Sequence, residues 1–168
     1  LVRPYNLPKN LAGKGSCVIN YNGIKICIFQ VMGQVFMNND TITSPFEACE
    51  EVLKNVDADI YLCDFHGEAT SEKIAFALHF DGRVQAIFGT HTHVPTCDSR
   101  ILKNGTAYIT DIGMTGPKNS VIGMDTKASI KRFVTTLPER YKVSDDKEIV
   151  LTGVNTAGYK DGNYQFID

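Results

Sequence analysis

The chain has no C-x-x-C pair, no apolar run long enough to span a bilayer, no basic excess and no internal repeat. Each absence removes a class of protein. Five cysteines (Cys17, Cys27, Cys49, Cys63, Cys97), odd in number and without ribbon spacing, argue against a zinc ribbon or a disulfide-stapled secreted fold. Most fall in apolar runs and read as buried, reduced thiols of a cytoplasmic protein. A net charge of −2 and a pI near 6.1 weaken the case for a nonspecific nucleic-acid binder. Without a membrane-length segment, no membrane partner is expected. The opening Leu1-Val2-Arg3-Pro4 carries neither a signal pattern nor an initiator methionine, so a processed or truncated piece of a longer polypeptide is expected. What remains is 168 residues of ordinary globular composition, enough for one domain with a real core.

Periodicity outlines a mixed α/β order. Cys17–Tyr21 and Ile24–Val31 flank Asn22-Gly23, the strongest short hairpin signal. Ser44-Pro45-Phe46-Glu47 opens a helix with a capping serine, and Phe46, Cys49, Val52, Leu53 and Val56 give it an apolar stripe. Asp59 to Phe65 reads as an apolar strand. Glu68 to Phe80 reads as a helix with Ile74, Ala75, Leu78 and His79 along one side. Val84 to Phe88 reads as the next strand, which completes a parallel crossover. Thr106 to Thr110 predicts a strand, Met114 to Lys118 a loop, and Thr126 to Leu137 a helix with Ile130, Phe133 and Val134 apolar. Arg140–Ser144 and Glu148–Asn155 read as a strand pair around Asp145-Asp146, with a final turn and strand over Gly158 to Asp168.

Two segments carry chemistry. Asp64-Phe65-His66-Gly67-Glu68 and Gly89-Thr90-His91-Thr92-His93 both end apolar strands, at the sheet edge where α/β proteins bind ligands. A right-handed crossover brings those strand ends together. If the second segment stays extended, His91 and His93 point to one side and Thr92 away. Neutral imidazole is a common ligand for zinc, iron and manganese, so His66, His91 and His93 are the candidate metal ligands. Asp64 either orients His66 or caps a loop. Glu68 either faces substrate or caps the adjacent helix, with capping favoured. The loop Asp111 to Gly116, including Thr115 and Gly116, can offer backbone N–H groups to a phosphate, although a plain tight loop is the simpler reading. His79, alone inside a helix, reads as structural. Arg3 and Lys14 default to solvated surface.

Three long stretches resemble the YmdB family of bacterial metallophosphoesterases: Asp64 to Lys73, Gly89 to Val94, and Gly105 to Pro117. The similarity runs from about Arg3 to the C-terminus and is weakest beyond Leu137. It implies an α/β calcineurin-like metallophosphoesterase sandwich, two β-sheets flanked by helices. It also implies a dinuclear centre of iron and/or manganese, with zinc an alternative, and hydrolysis of phosphodiesters such as 2′,3′- or 3′,5′-cyclic nucleotides. By position His66, His91 and His93 match the family's metal-binding histidines. The resemblance further implies homo-oligomers and a link to RNA turnover. The family's N-terminal Gly-Asp and Gly-Asn-His segments have no match. Residues 1–168 are therefore expected to be the C-terminal part of one metallophosphoesterase domain, incomplete alone, with no catalytic acid in this chain. The rival readings are a noncatalytic metal- or ligand-binding regulatory module and a mononuclear amide hydrolase, whose barrel would need a longer chain.

Overall fold

Asn22 and Gly23 take φ of 52° and 85°, the mirror-image turn whose twist matches a two-stranded ribbon. In the computed structural model, which describes residues 2–38 and 41–156, they join β1 (Ser16–Tyr21) to β2 (Ile24–Met32) as an antiparallel hairpin. From β2 the chain makes two parallel crossovers. The first runs through α1 (Pro45–Asn55) to β3 (Ile60–His66), the second through α2 (Thr70–His79) to β4 (Ala86–Thr90). Next come β5 (Arg100–Ile101) and β6 (Ala107–Ile109), and the six-stranded sheet has the order β1-β2-β3-β4-β6-β5. Within this sheet the short edge strand β5, inside a polar stretch, escapes the sequence reading.

Alternation divides this sheet into two unlike faces. Cys27, Phe29 and Val31 of β2, Cys63 and Phe65 of β3, Ile87 of β4 and Tyr108 of β6 are buried together. Ala48, Cys49 and Val52 of α1, Phe76 and Ala77 of α2 and Phe80 just after it cover them, with Phe46 edge-on to Phe76 at 5.3 Å. On the opposite face Ile26, Ile28, Leu62 and Phe88 are only half-buried, although a parallel sheet usually has both faces covered.

Ser44 caps α1 through Glu47 N–H, as its sequence predicts. The second helix differs. Its buried line is Lys73, Phe76, Ala77 and Phe80, whereas Leu78 is 57% exposed and Ala75 is exposed. Residues 73, 76, 77 and 80 share a helical face only if a lysine is admitted to it, so apolar spacing alone phases the helix wrongly. Helix α2 also starts at Thr70 without a side-chain cap, which removes the capping role expected of Glu68.

The late strand pair is also corrected. Residues 140–144 form no strand. Instead β8 (Ile149–Val150) pairs with β7 (Gly116–Pro117), inside the segment read as a loop. Asp146 does not make a hairpin turn there: its carboxylate accepts Asn119 N–H at 2.8 Å, and Lys118 pairs with Glu148 at 2.6 Å. Helix α3 (Thr126–Thr135) is capped by Asp125, which accepts Ala128 N–H at 2.8 Å. Its Ile130, Phe133 and Val134 remain exposed. The turn and strand expected over Gly158 to Asp168 lie outside the described residues. No described helix is long and apolar enough to cross a membrane. All five cysteines are free. Cys27, Cys49 and Cys63 are buried as expected, and burial pushes the Cys27 thiol up to about 11, but Cys17 and Cys97 are exposed.

The helix phase is checked by truncation. Phe76→Ala is expected to cost about 3–5 kcal/mol in urea denaturation, and Leu78→Ala about 0.5 kcal/mol or less. Equal costs would contradict this packing.

Candidate metal-binding site

The half-covered sheet face turns polar at its carboxyl end. Gln30, Asp64, His66 and Thr90 sit there on three adjacent parallel strands. Gln30 Nε2 donates to Asp64 Oδ2 at 2.6 Å, and Thr90 Oγ1 donates to Asp64 Oδ1 at 2.7 Å. The Thr90 hydroxyl has one proton, and with Asp64 ionised it is spent on the carboxylate. Its contact with His66 Nδ1 at 2.9 Å must then be donated by the ring. His66 is thus held as the Nδ1–H tautomer, with a lone pair on Nε2. Burial lowers the His66 pKa, reinforced by nearby His91, and so favours this neutral form. Burial also raises the Asp64 pKa, against the hydrogen bonds from Thr90 and Gln30.

His66 Nε2 lies 3.3 Å from His91 Nδ1, and the rings are edge-on at 5.0 Å between centroids. Glu68, free of the helix, places Oε2 3.2 Å from His91 Nε2. The third histidine departs from the extended geometry expected of the segment. Strand β4 stops at Thr90, and His91 and His93 take φ of +115° and +67°. Two residues in the left-handed region break the alternation that would aim both rings one way. His93 is exposed, and its Nδ1 donates to Ile122 O at 2.9 Å, which leaves a lone pair on its Nε2 as well. Among the described residues no three His, Cys, Asp or Glu side chains form a group able to hold an ion.

The two histidines present do suit a metal. Two nitrogens bound about 2.05 Å from one tetrahedral ion lie about 3.3 Å apart, and His66 and His91 have that separation with one lone pair already directed inward.

The Asp111–Gly116 loop does not form a phosphate nest. Ile112 N–H goes to Gly89 O at 3.0 Å and Gly113 N–H to Asp111 Oδ1 at 2.8 Å. Thr115 is exposed and Gly116 is paired in β7. Asp111 itself is wholly buried and paired with Lys73, a contact that motif reading misses. The available signal was a lysine in line with Phe76, Ala77 and Phe80. Burial alone would raise the Asp111 carboxyl, but bonds from Gly113, Thr92 and Lys73 hold it below the usual range.

Comparison with known proteins supplies the family and the fold. A family model described as YmdB-like protein matches residues 1–166. A 2′,3′-cyclic-nucleotide 2′-phosphodiesterase of Bacillus subtilis is 44% identical over 156 residues, covering 92% of this chain and 58% of the relative. A crystal structure of a hypothetical protein from Thermus thermophilus superimposes with a TM-score of 0.81 at 43% identity, over 85% of this chain and 56% of that one. A structure titled as a novel phosphatase from Mycoplasma pneumoniae gives 0.79 at 41% identity, over 90% and 61%. The architecture is therefore the α/β calcineurin-like phosphoesterase fold, with mixed sheets and flanking helices. Within that class the chain belongs to the YmdB-like protein family. It spans a little over half the length of these relatives.

The loop leaving the site is pinned by Asp98, which accepts the Thr110 N–H at 3.1 Å and the hydroxyls of Thr96 and Thr110. Burial pushes the Asp98 carboxyl up, but these bonds outweigh it and its pKa is lowered. A lowered folded pKa means that the unfolded chain binds more protons, so this stabilisation is present above about pH 4 and fades as pH falls further. Asp98→Asn is expected to cost about 1–3 kcal/mol at pH 7. In denaturant titrations that cost should shrink below about pH 4. A cost independent of pH would contradict the assignment.

Proposed function

We propose that this chain supplies part of the active site of a metal-dependent phosphodiesterase. The observation that carries this is the 3.3 Å approach of His66 Nε2 to His91 Nδ1, with the tautomer of His66 set by Thr90 and Asp64. His66, His91 and His93 are the ligands, each of the outer two offering Nε2 because Nδ1–H is committed to an oxygen. Asp64 acts on His66 through Thr90, and Glu68 holds the far nitrogen of His91. Thr115, exposed beside the β7–β8 pair, and Gly116 within it complete the proposal as substrate-facing residues.

Two ions, iron and/or manganese or else zinc, would supply Lewis-acid polarisation of a phosphoryl oxygen and a nucleophile at neutral pH. Three imidazoles are too few for two ions, so further ligands and the catalytic acid come from outside these residues. The half-covered face of Ile26, Ile28, Leu62 and Phe88 supports the same division, since a second sheet laid there would complete the sandwich and bring its own strand ends to the histidines. On this reading residues 1–168 are the C-terminal part of a single metallophosphoesterase domain. The substrates are small phosphodiesters, cyclic nucleotides among them, as the name of the Bacillus relative suggests. Homo-oligomerisation, a role in RNA turnover and a cytoplasmic location belong to the same proposal.

A second reading has one observation in its favour. The described residues hold no complete ligand group, as a noncatalytic metal- or ligand-binding module would also show.

The test is hydrolysis of bis-p-nitrophenyl phosphate with manganese by the intact protein. His66→Ala and His91→Ala should each lower kcat/KM by roughly 100-fold or more. Wild-type rates in a His91→Ala, His93→Ala double variant would end the catalytic reading. Stoichiometric metal without turnover would favour the binding module.

A further inference from the structure

His91 has φ of +115°, a conformation that a residue with a Cβ rarely adopts. Such a backbone persists only where its surroundings over-determine it. Here both flanking peptides are gripped by one buried pair. Lys73 Nζ donates to Thr90 O at 2.9 Å and to Asp111 Oδ2 at 3.0 Å. The same Oδ2 accepts Thr92 N–H at 3.0 Å. Lys73 is 1% exposed and Asp111 0%, so water cannot substitute for either. The carbonyl before His91, which also accepts Gly67 N–H at 3.3 Å, and the amide after it are therefore both held by this pair, which is anchored in α2 and behind β6.

We propose that Lys73 and Asp111 are positioning residues that hold His91 in its left-handed conformation and its ring against His66. Both act through the backbone, Lys73 on Thr90 O and Asp111 on Thr92 N–H. The functional weight of this rests on His91 being a ligand, while the positioning itself stands on the geometry. A buried ion pair is a weak choice for stability alone, because desolvating both charges offsets most of their attraction. The bonds to Thr90 and Thr92 explain why charged groups occupy a place that an apolar pair would fill.

The experiment replaces both charges together, Lys73→Met with Asp111→Leu, which leaves no lone buried ion. Hydrogen-exchange protection of β2 and β3 should match wild type. In NMR, the through-space contact between the His66 and His91 rings should disappear, and Thr92 N–H protection should fall by about tenfold or more. Manganese affinity of the intact protein should fall roughly 10–100-fold. A variant that keeps the ring contact and the Thr92 protection overturns the proposal. If the apolar pair does not fold, Lys73→Met with Asp111→Asn, also charge-balanced, is read by the same contact. Failure of the wild type to bind manganese would remove the metal reading, and the ring contact alone would then decide the positioning role.

Discussion

Lys73 and Asp111 meet at 3.0 Å with almost no access to water, and the carboxyl edge of the sheet is organised around that contact. The effective cost of desolvation is several kcal/mol per ion, so the pair survives only if its remaining hydrogen-bonding capacity is used. Most of it is: Thr90 O takes a second lysine proton, and Thr92 N–H and Gly113 N–H bond the aspartate. The pair also needs the strand beneath it to lie close. At Gly89 a Cβ would come 1.7 Å from Thr110 O and 3.1 Å from Lys73 Cδ, so only glycine permits β4 to pass there. The G-T-H-T-H motif thus opens on glycine because its own backbone passes hard against the segment that carries Asp111.

Around that anchor the sheet is graded in two directions. Across its thickness, one face is fully packed against α1 and α2 and the other is half-covered. Along its length, the half-covered face runs from isoleucine, leucine and phenylalanine to Gln30, Asp64, His66 and Thr90. The apolar part asks for another layer, and the polar part places donors where that layer would meet it. Parallel pairing makes this possible, because it puts equivalent ends of β2, β3 and β4 at one edge and sets Met32, His66 and Thr90 side by side. An antiparallel arrangement would send alternate ends away.

Most of the fold follows from signals the chain carries locally. Asn22-Gly23 specifies its turn, Ser44-Pro45 starts α1, and the apolar runs of β3 and β4 are unmistakable. The bringing together of His66 and His91 was legible too, since a crossover leaves two strand tips adjacent. What was not legible depends on partners distant in sequence. Lys73 looks like solvated surface until Asp111 is placed 38 residues away, and without it α2 is phased toward Leu78. The left-handed turns at His91 and His93 reflect the grip on Thr90 and Thr92 and the bond to Ile122, none of which periodicity encodes. Asp145-Asp146 between two apolar runs reads locally as a hairpin turn, and the bond from Asn119 N–H to Asp146 that replaces it spans 27 residues.

The two outer histidines reach the same chemical state by different routes. His66 gives its Nδ1 proton to a threonine hydroxyl whose own proton is committed to Asp64, and His93 gives its Nδ1 proton to a backbone carbonyl. A carbonyl can only accept, and a threonine hydroxyl bound to a carboxylate is reduced to the same condition. Each ring therefore keeps Nε2 as its basic nitrogen before any ligand arrives. Between them, His91 has Glu68 on Nε2 and His66 on Nδ1, and so has no single acceptor that settles its tautomer. The ring with two competing partners is the one whose flanking peptides are held by the buried pair. Geometry is imposed on His91 through its backbone, whereas on His66 and His93 it is imposed through the ring.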